Sequence, residues 1–131
     1  MNTLPATLTA ITVSEHLSIL TVAVGGDHFH LLLAEHCHDE IGTSLTLAFK
    51  ETEVILSKEL SSSTANVHRA IVRKIEQGLV LSQITLAYHE MNIIALVPTL
   101  TFNTLTIRND DEVCWMVQPS EISLLRGNHG I

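Results

Sequence analysis

Aromatic side chains are scarce in this 131-residue chain, at 4% of its residues, although 46% are hydrophobic. The apolar mass is therefore aliphatic, and there are few rings on which nucleic-acid bases could stack. Basic residues are also few: seven Lys and Arg face 14 Asp and Glu, giving a formal charge of -7. Such a chain has no basic field to draw nucleic acid or an anionic membrane surface. No apolar run reaches the length of a membrane span, because Thr, Ser, Glu and His interrupt every stretch. The start, Met1-Asn2-Thr3-Leu4-Pro5, lacks the basic opening and apolar core of a secretion signal. Cys37 and Cys114 have no paired spacing and read as two reduced thiols in a cytoplasmic protein. A glycine-rich phosphate loop is missing, as are a recognition helix and any Ser/His/Asp or Cys/His spacing that would argue catalysis. The expectation is a non-enzyme.

What is present is alternation. Leu45, Leu47 and Phe49 fall on one face of a strand with Thr46, Ala48 and Lys50 on the other. Phe29, Leu31 and Leu33 alternate likewise, as do Val113, Trp115 and Val117. Turn residues divide the strands at Gly25-Gly26-Asp27, Ile41-Gly42-Thr43, Gln77-Gly78 and Asn109-Asp110-Asp111. Two short stretches, 34–40 and 99–105, have room for a helical turn. Many short strands at close spacing indicate an all-β barrel or sandwich.

Ser61-Ser62-Ser63 is the one low-complexity stretch and reads as a linker near mid-chain. A repeat flanks it. Thr7–Ile11 aligns with Val67–Ile71 at an offset of 60, Ser18–Ala23 with Ser82–Ala87 at 64, and Lys50–Leu56 with Gln118–Leu124 at 68. The expected organisation is a first repeat over 1–60, a linker over 61–66 and a second repeat over 67–131, its opening motif beginning at 63. Units of about 60 residues bury too little surface to be comfortable alone, which favours packing against a partner.

Two motifs give these repeats a family likeness. Ser63-Thr64-Ala65-Asn66-Val67-His68-Arg69-Ala70 resembles the Ser-Ala-Arg-Asn-x-x-Lys-Gly opening of TOBE/Mop modules. Lys50-Glu51-Thr52-Glu53-Val54 and Gln118-Pro119-Ser120-Glu121-Ile122 resemble the family's closing Lys-Ala-Ser-Glu-Val. Gly42-Thr43-Ser44-Leu45 and Asp110-Asp111-Glu112-Val113 match the approach to that closing hairpin, and Asn2-Thr3-Leu4-Pro5-Ala6 looks like a degenerate opening. The resemblance runs from about Leu4 to Leu125. It implies two tandem OB-like five-stranded barrels that bind molybdate or tungstate at interfaces between modules. It further implies a cytoplasmic protein of molybdenum homeostasis that stores, buffers or senses the anion. The implied partners are the oxyanion, further copies of the chain in a dimer or trimer, and a molybdate transporter. The alternative is a regulatory module of a molybdate importer ATPase with no anion site of its own. An OB-like barrel acting on RNA is a third reading, disfavoured by the acidic charge and scarce aromatics.

A tetrahedral dianion with only acceptor oxygens requires a site made of donors. The expected donors are Lys50, Thr52, Ser63, Asn66, Gln118 and Ser120. The chain departs from the family pattern at Ala65, where the family has Arg, at Gln118, where it has Lys, and at Glu51, where it has a small Ala. Eight histidines are many for this length. His28 and His30 share a strand face, Glu35-His36-Cys37-His38-Asp39-Glu40 reads as a solvated polar loop rather than a metal site, and His68 and His89 read as surface or rim residues.

Overall fold

The computed structural model describes residues 1–58 and 66–126. Its strands are β1 (Asn2–Ser14), β2 (Leu17–Val24), β3 (Asp27–Leu33), β4 (Ser44–Phe49), β5 (Ile55–Ser57), β6 (Val67–Gln77), β7 (Leu81–Tyr88), β8 (Met91–Pro98), β9 (Glu112–Met116) and β10 (Ser123–Arg126). One helix, α1 (Thr99–Leu105), and two 3-10 turns, Glu51–Glu53 and Pro119–Glu121, complete the described elements. The class is all-β, with two five-stranded sheets in OB-like barrels. Alternation decides the inward faces: Asn2, Leu4, Ala6 and Leu8 are buried along β1, and Ser82, Ile84, Leu86 and Tyr88 along β7. The 99–105 stretch is the expected helical turn, whereas 34–40 is irregular.

The sheets do not follow the order of the chain. They run β10-β4-β1-β2-β3 and β5-β9-β6-β7-β8. β5 follows β4 in sequence but pairs with β9, setting Leu56 opposite Trp115. β10 follows β9 but pairs with β4, setting Leu124 opposite Leu47. Each barrel thus takes its fifth strand from the other half of the chain.

Register fixes which residues are equivalent. β1 carries a bulge between Leu8 and Ala10, and β6 carries one between Val72 and Lys74, so Leu8 and Val72 correspond at an offset of 64. Gly42 and Thr43 bond the backbone of Leu8 as Asp110 and Asp111 bond that of Val72, an offset of 68. The change of four falls between β8 and β9, where α1 replaces the irregular stretch before β4. The offset of 60 between Thr7–Ile11 and Val67–Ile71 is therefore corrected: the equivalent of Ala70 is Ala6, and the alternating apolar pattern allowed a four-residue slip along one strand.

Asn2 and Asn66 are equivalents under this register, and both are buried, at 4% and 0% exposure. The Asn66 amide donates to the His30 carbonyl at 2.9 Å and accepts from the His30 N–H at 2.7 Å. The Asn2 amide makes the same pair with Ile94, at 2.8 Å each way. His30 and Ile94 lie on β3 and β8, the edge strands of the opposite sheets. Each side chain therefore serves as one extra peptide unit on the other barrel's edge. Four of the five aromatics gather at the same junction: Trp115 lies 5.7 Å from Phe29, 5.8 Å from Phe49 and 5.1 Å from Tyr88, ring centre to ring centre.

Removing either clamp strands a backbone N–H and C=O at the junction. Asn2→Ala and Asn66→Ala should each cost about 2–4 kcal/mol of folding stability. Chemical denaturation of the three proteins checks this, and losses below the scatter of ordinary surface substitutions would contradict it.

Candidate functional site

The two closing motifs fold alike. Each places its first residue at the extended entry to a 3-10 turn, Lys50 at φ -74° and Gln118 at φ -63°, and neither side chain caps its own turn. Both residues are exposed. Because β10 crosses to pair with β4, the second motif arrives beside the first. Lys50, Glu53, Ser120, Glu121 and Ser123 line one cavity of about 240 Å³ together with Met1, Ala48 and Phe49. Lys50 and Ser120, donors from different repeats, are thus brought together. Glu51 is turned to an ion pair with the Met1 ammonium, which holds its carboxyl below the usual range.

The remaining expected donors lie elsewhere. Thr52 lines a mainly apolar cavity with Val54, Leu56, Phe102 and Leu105. Gln118 is exposed at the entry to its own turn. The two Asn66 amide hydrogens go to the carbonyls of His30 and Val117, at 2.9 and 3.0 Å. Ser63 and the linker residues 61–65 lie outside the described residues, as does Ala65.

A second polar site had not been expected. Asp27, Val67, His68, Arg69, Tyr88 and His89 line a cavity of about 410 Å³. Gly25, at φ +60°, turns the β2–β3 hairpin so closely over His89 that an added Cβ would meet its ring at 3.0 Å. That turn delivers the Asp27 carboxylate to the other half, where Oδ2 accepts from the Tyr88 hydroxyl at 2.6 Å and lies 3.2 Å from Nε2 of His89. Nδ1 of His68 lies 3.7 Å away. The expectation that His68 is a surface or rim residue is corrected: it is 9% exposed, its ring centre 4.0 Å from that of Phe29. His89 keeps partial exposure. Among the described residues, no group of three His, Cys, Asp or Glu is arranged to hold a metal ion.

The sequence matches no protein-family model and no curated protein. Among solved structures, a molybdate-bound form of the cytoplasmic molybdate-binding protein ModG matches with a TM-score of 0.89 and 19% identity, covering 95% of each chain. The fold is similar to that of ModG. At this identity the likeness to ModG carries the path of the backbone and not the roles of individual side chains. Among the described residues, no helix is long and apolar enough to cross a membrane.

Within this ModG-like fold, the Asp27 cluster makes stability depend on pH. The Tyr88 hydrogen bond, followed by the charge of His68 and the contacts of His89, holds the Asp27 carboxyl below its usual range against a smaller opposing effect of burial. Burial lowers the His68 imidazole below its ordinary value, and Asp27 only partly offsets this. The Tyr88 hydroxyl is pushed up by burial and by Asp27. The folded protein therefore takes up a proton at His68 less readily than the unfolded chain. Stability should fall as pH drops through the ordinary imidazole range, near 6.5. Asp27 adds a second loss only below the ordinary carboxylate range. Leu4 is the first-half equivalent of His68 and is fully buried, so leucine is the substitution the other repeat supplies. The melting temperature of the wild type should decline between about pH 7.5 and 5. In His68→Leu that decline should flatten, and an unchanged slope would contradict this account.

Proposed function

We propose that this chain is a molybdate- or tungstate-binding protein of the paired Mop type that stores, buffers or senses the anion in the cytoplasm and catalyses no reaction. The observation that carries this reading is the shared cavity of Lys50 and Ser120, the first residue of one closing motif and the third of the other. A lysine ammonium and serine hydroxyls supply the donors that a tetrahedral oxyanion needs. Lys50 has no ion pair among the described residues, so its charge is available to a ligand. The molybdate bound by ModG, on a backbone of the same fold, supports the choice of anion. In this reading Asn66 positions the opening segment by its bonds to His30 and Val117, and Ser63, Thr52 and Gln118 are further candidate donors.

The proposed working form is a dimer or trimer. Leu79, Val80 and Leu100 are strongly exposed, and the Thr99 N–H donates to the Val80 carbonyl, which brings the two segments that carry them side by side. A molybdate transporter is the proposed protein partner. A second reading, a regulatory module of an importer ATPase without an anion site, is favoured by one observation: Glu53 and Glu121 line the same cavity as Lys50.

Calorimetric titration with molybdate, tungstate and sulfate separates the two. Binding of the metal oxyanions but not of sulfate is expected, because a cavity with fixed donors cannot contract around the smaller tetrahedron. Lys50→Ala should weaken molybdate binding about ten- to a hundredfold by deleting a charge-assisted hydrogen bond. Equal affinity in the variant would move the site elsewhere, and absence of heat with every oxyanion would leave the regulatory reading.

A further inference from the structure

The cavity of Lys50 and Ser120 contains more than donors. Glu53 enters it from the first 3-10 turn and Glu121 from the second, while Ser123 and Ser120 supply hydroxyls. An ionised carboxylate only accepts hydrogen bonds, and a fully deprotonated oxyanion also only accepts. Two acceptors of like charge facing each other across a small cavity repel, and Lys50 is one cation against two carboxylates there. The nearby Met1 ammonium does not correct the balance, because it is paired with Glu51. A single proton between a carboxylate oxygen and an anion oxygen turns that repulsion into a short, charge-assisted hydrogen bond.

We propose that this cavity takes its oxyanion together with one proton, shared between an anion oxygen and the carboxyl of Glu53 or Glu121. The inference rests on the oxyanion reading and adds its proton balance. The proton comes from the buffer acid as the anion enters and returns to it when the anion leaves, with no other bond made or broken. Selection then has two parts. Cavity size disfavours a smaller tetrahedron, and the shared proton disfavours a weakly basic anion. Sulfate is a much weaker base than molybdate and accepts a shared proton poorly.

Among the described residues, other titratable groups near the cavity are few. The second 3-10 turn packs against β3, which carries Asp27, His28 and His30, the last bonded through Nδ1 to the Thr21 hydroxyl at 3.0 Å. The first turn packs against β8, whose residues Met91–Pro98 include no titratable side chain, and β4 has none either. The two glutamates are therefore separable from the histidines by substitution.

The test is calorimetric titration of the intact chain with molybdate at one pH in two non-oxyanion buffers of different ionisation enthalpy, repeated across pH. The expected result is a binding enthalpy that changes with the buffer and an affinity that falls about tenfold per pH unit on the alkaline side. The isosteric E53Q/E121Q variant should bind molybdate with no buffer dependence and a flat pH profile. Molybdate binding with identical enthalpies in both buffers overturns the shared proton and leaves the oxyanion reading standing. A pH slope that survives in E53Q/E121Q also overturns it, assigning the proton to His28 or His30. Absence of heat with molybdate and tungstate alike removes the oxyanion reading and this proposal with it.

Discussion

Two buried carboxamides hold this molecule together. Asn2 and Asn66 each reach across to the opposite barrel and satisfy both the N–H and the C=O of one edge-strand residue, Ile94 and His30. An open edge buried against another sheet would leave those groups unpaired, at a cost of about 1–3 kcal/mol each. The exchange of β5 and β10 works in the same direction, since each barrel lacks its fifth strand until the other half supplies it. Trp115, Tyr88, Phe29 and Phe49 fill the junction between the halves. One continuous core results, spanning residues from Leu4 to Ile122. A chain with so few large side chains concentrates them where two thin cores must merge.

The site follows from that exchange. Had each half closed its own barrel, Lys50 would have met Thr52 and Glu53 of its own motif and nothing of the second. With β10 laid beside β4, Ser120 and Glu121 are carried to Lys50, and the cavity becomes a composite of both repeats. The two closing motifs are unequal, because Gln118 stands in the second where Lys50 stands in the first. The asymmetry extends to the far end of the junction. Asp27, His68 and His89 have the apolar or small equivalents Met91, Leu4 and Gly25, so only one of the two hairpin contacts is polar and sensitive to pH.

Much of this was legible in the sequence. Alternation identified the strands, and the 99–105 helix was foreseeable as a break in it. The closing motifs were readable because a 3-10 turn repeats its chemistry in both halves. The opening motif held information that the offset of 60 overrode: aligning Asn2 with Asn66 gives 64, the offset the bulges confirm. The burial of His68 also had a signal, since it shares strand parity with Ala70 and Val72, both inward. Strand exchange had none. A strand that pairs with its own repeat and one that crosses carry the same alternating pattern, and only the partner surface distinguishes them. The role of Asn66 was hidden for the same reason, because its partners His30 and Val117 are remote in sequence.

The proposed oxyanion site is built by strand exchange from both repeats, around Lys50 and Ser120. Anomalous diffraction at the molybdenum or tungsten absorption edge, from crystals of the anion-loaded protein, addresses it directly. An anomalous peak is expected within hydrogen-bond reach of the Lys50 ammonium and the Ser120 hydroxyl, with a carboxyl oxygen of Glu53 or Glu121 on its far side. A peak confined to any other part of the molecule, or none in crystals grown with saturating anion, would contradict it.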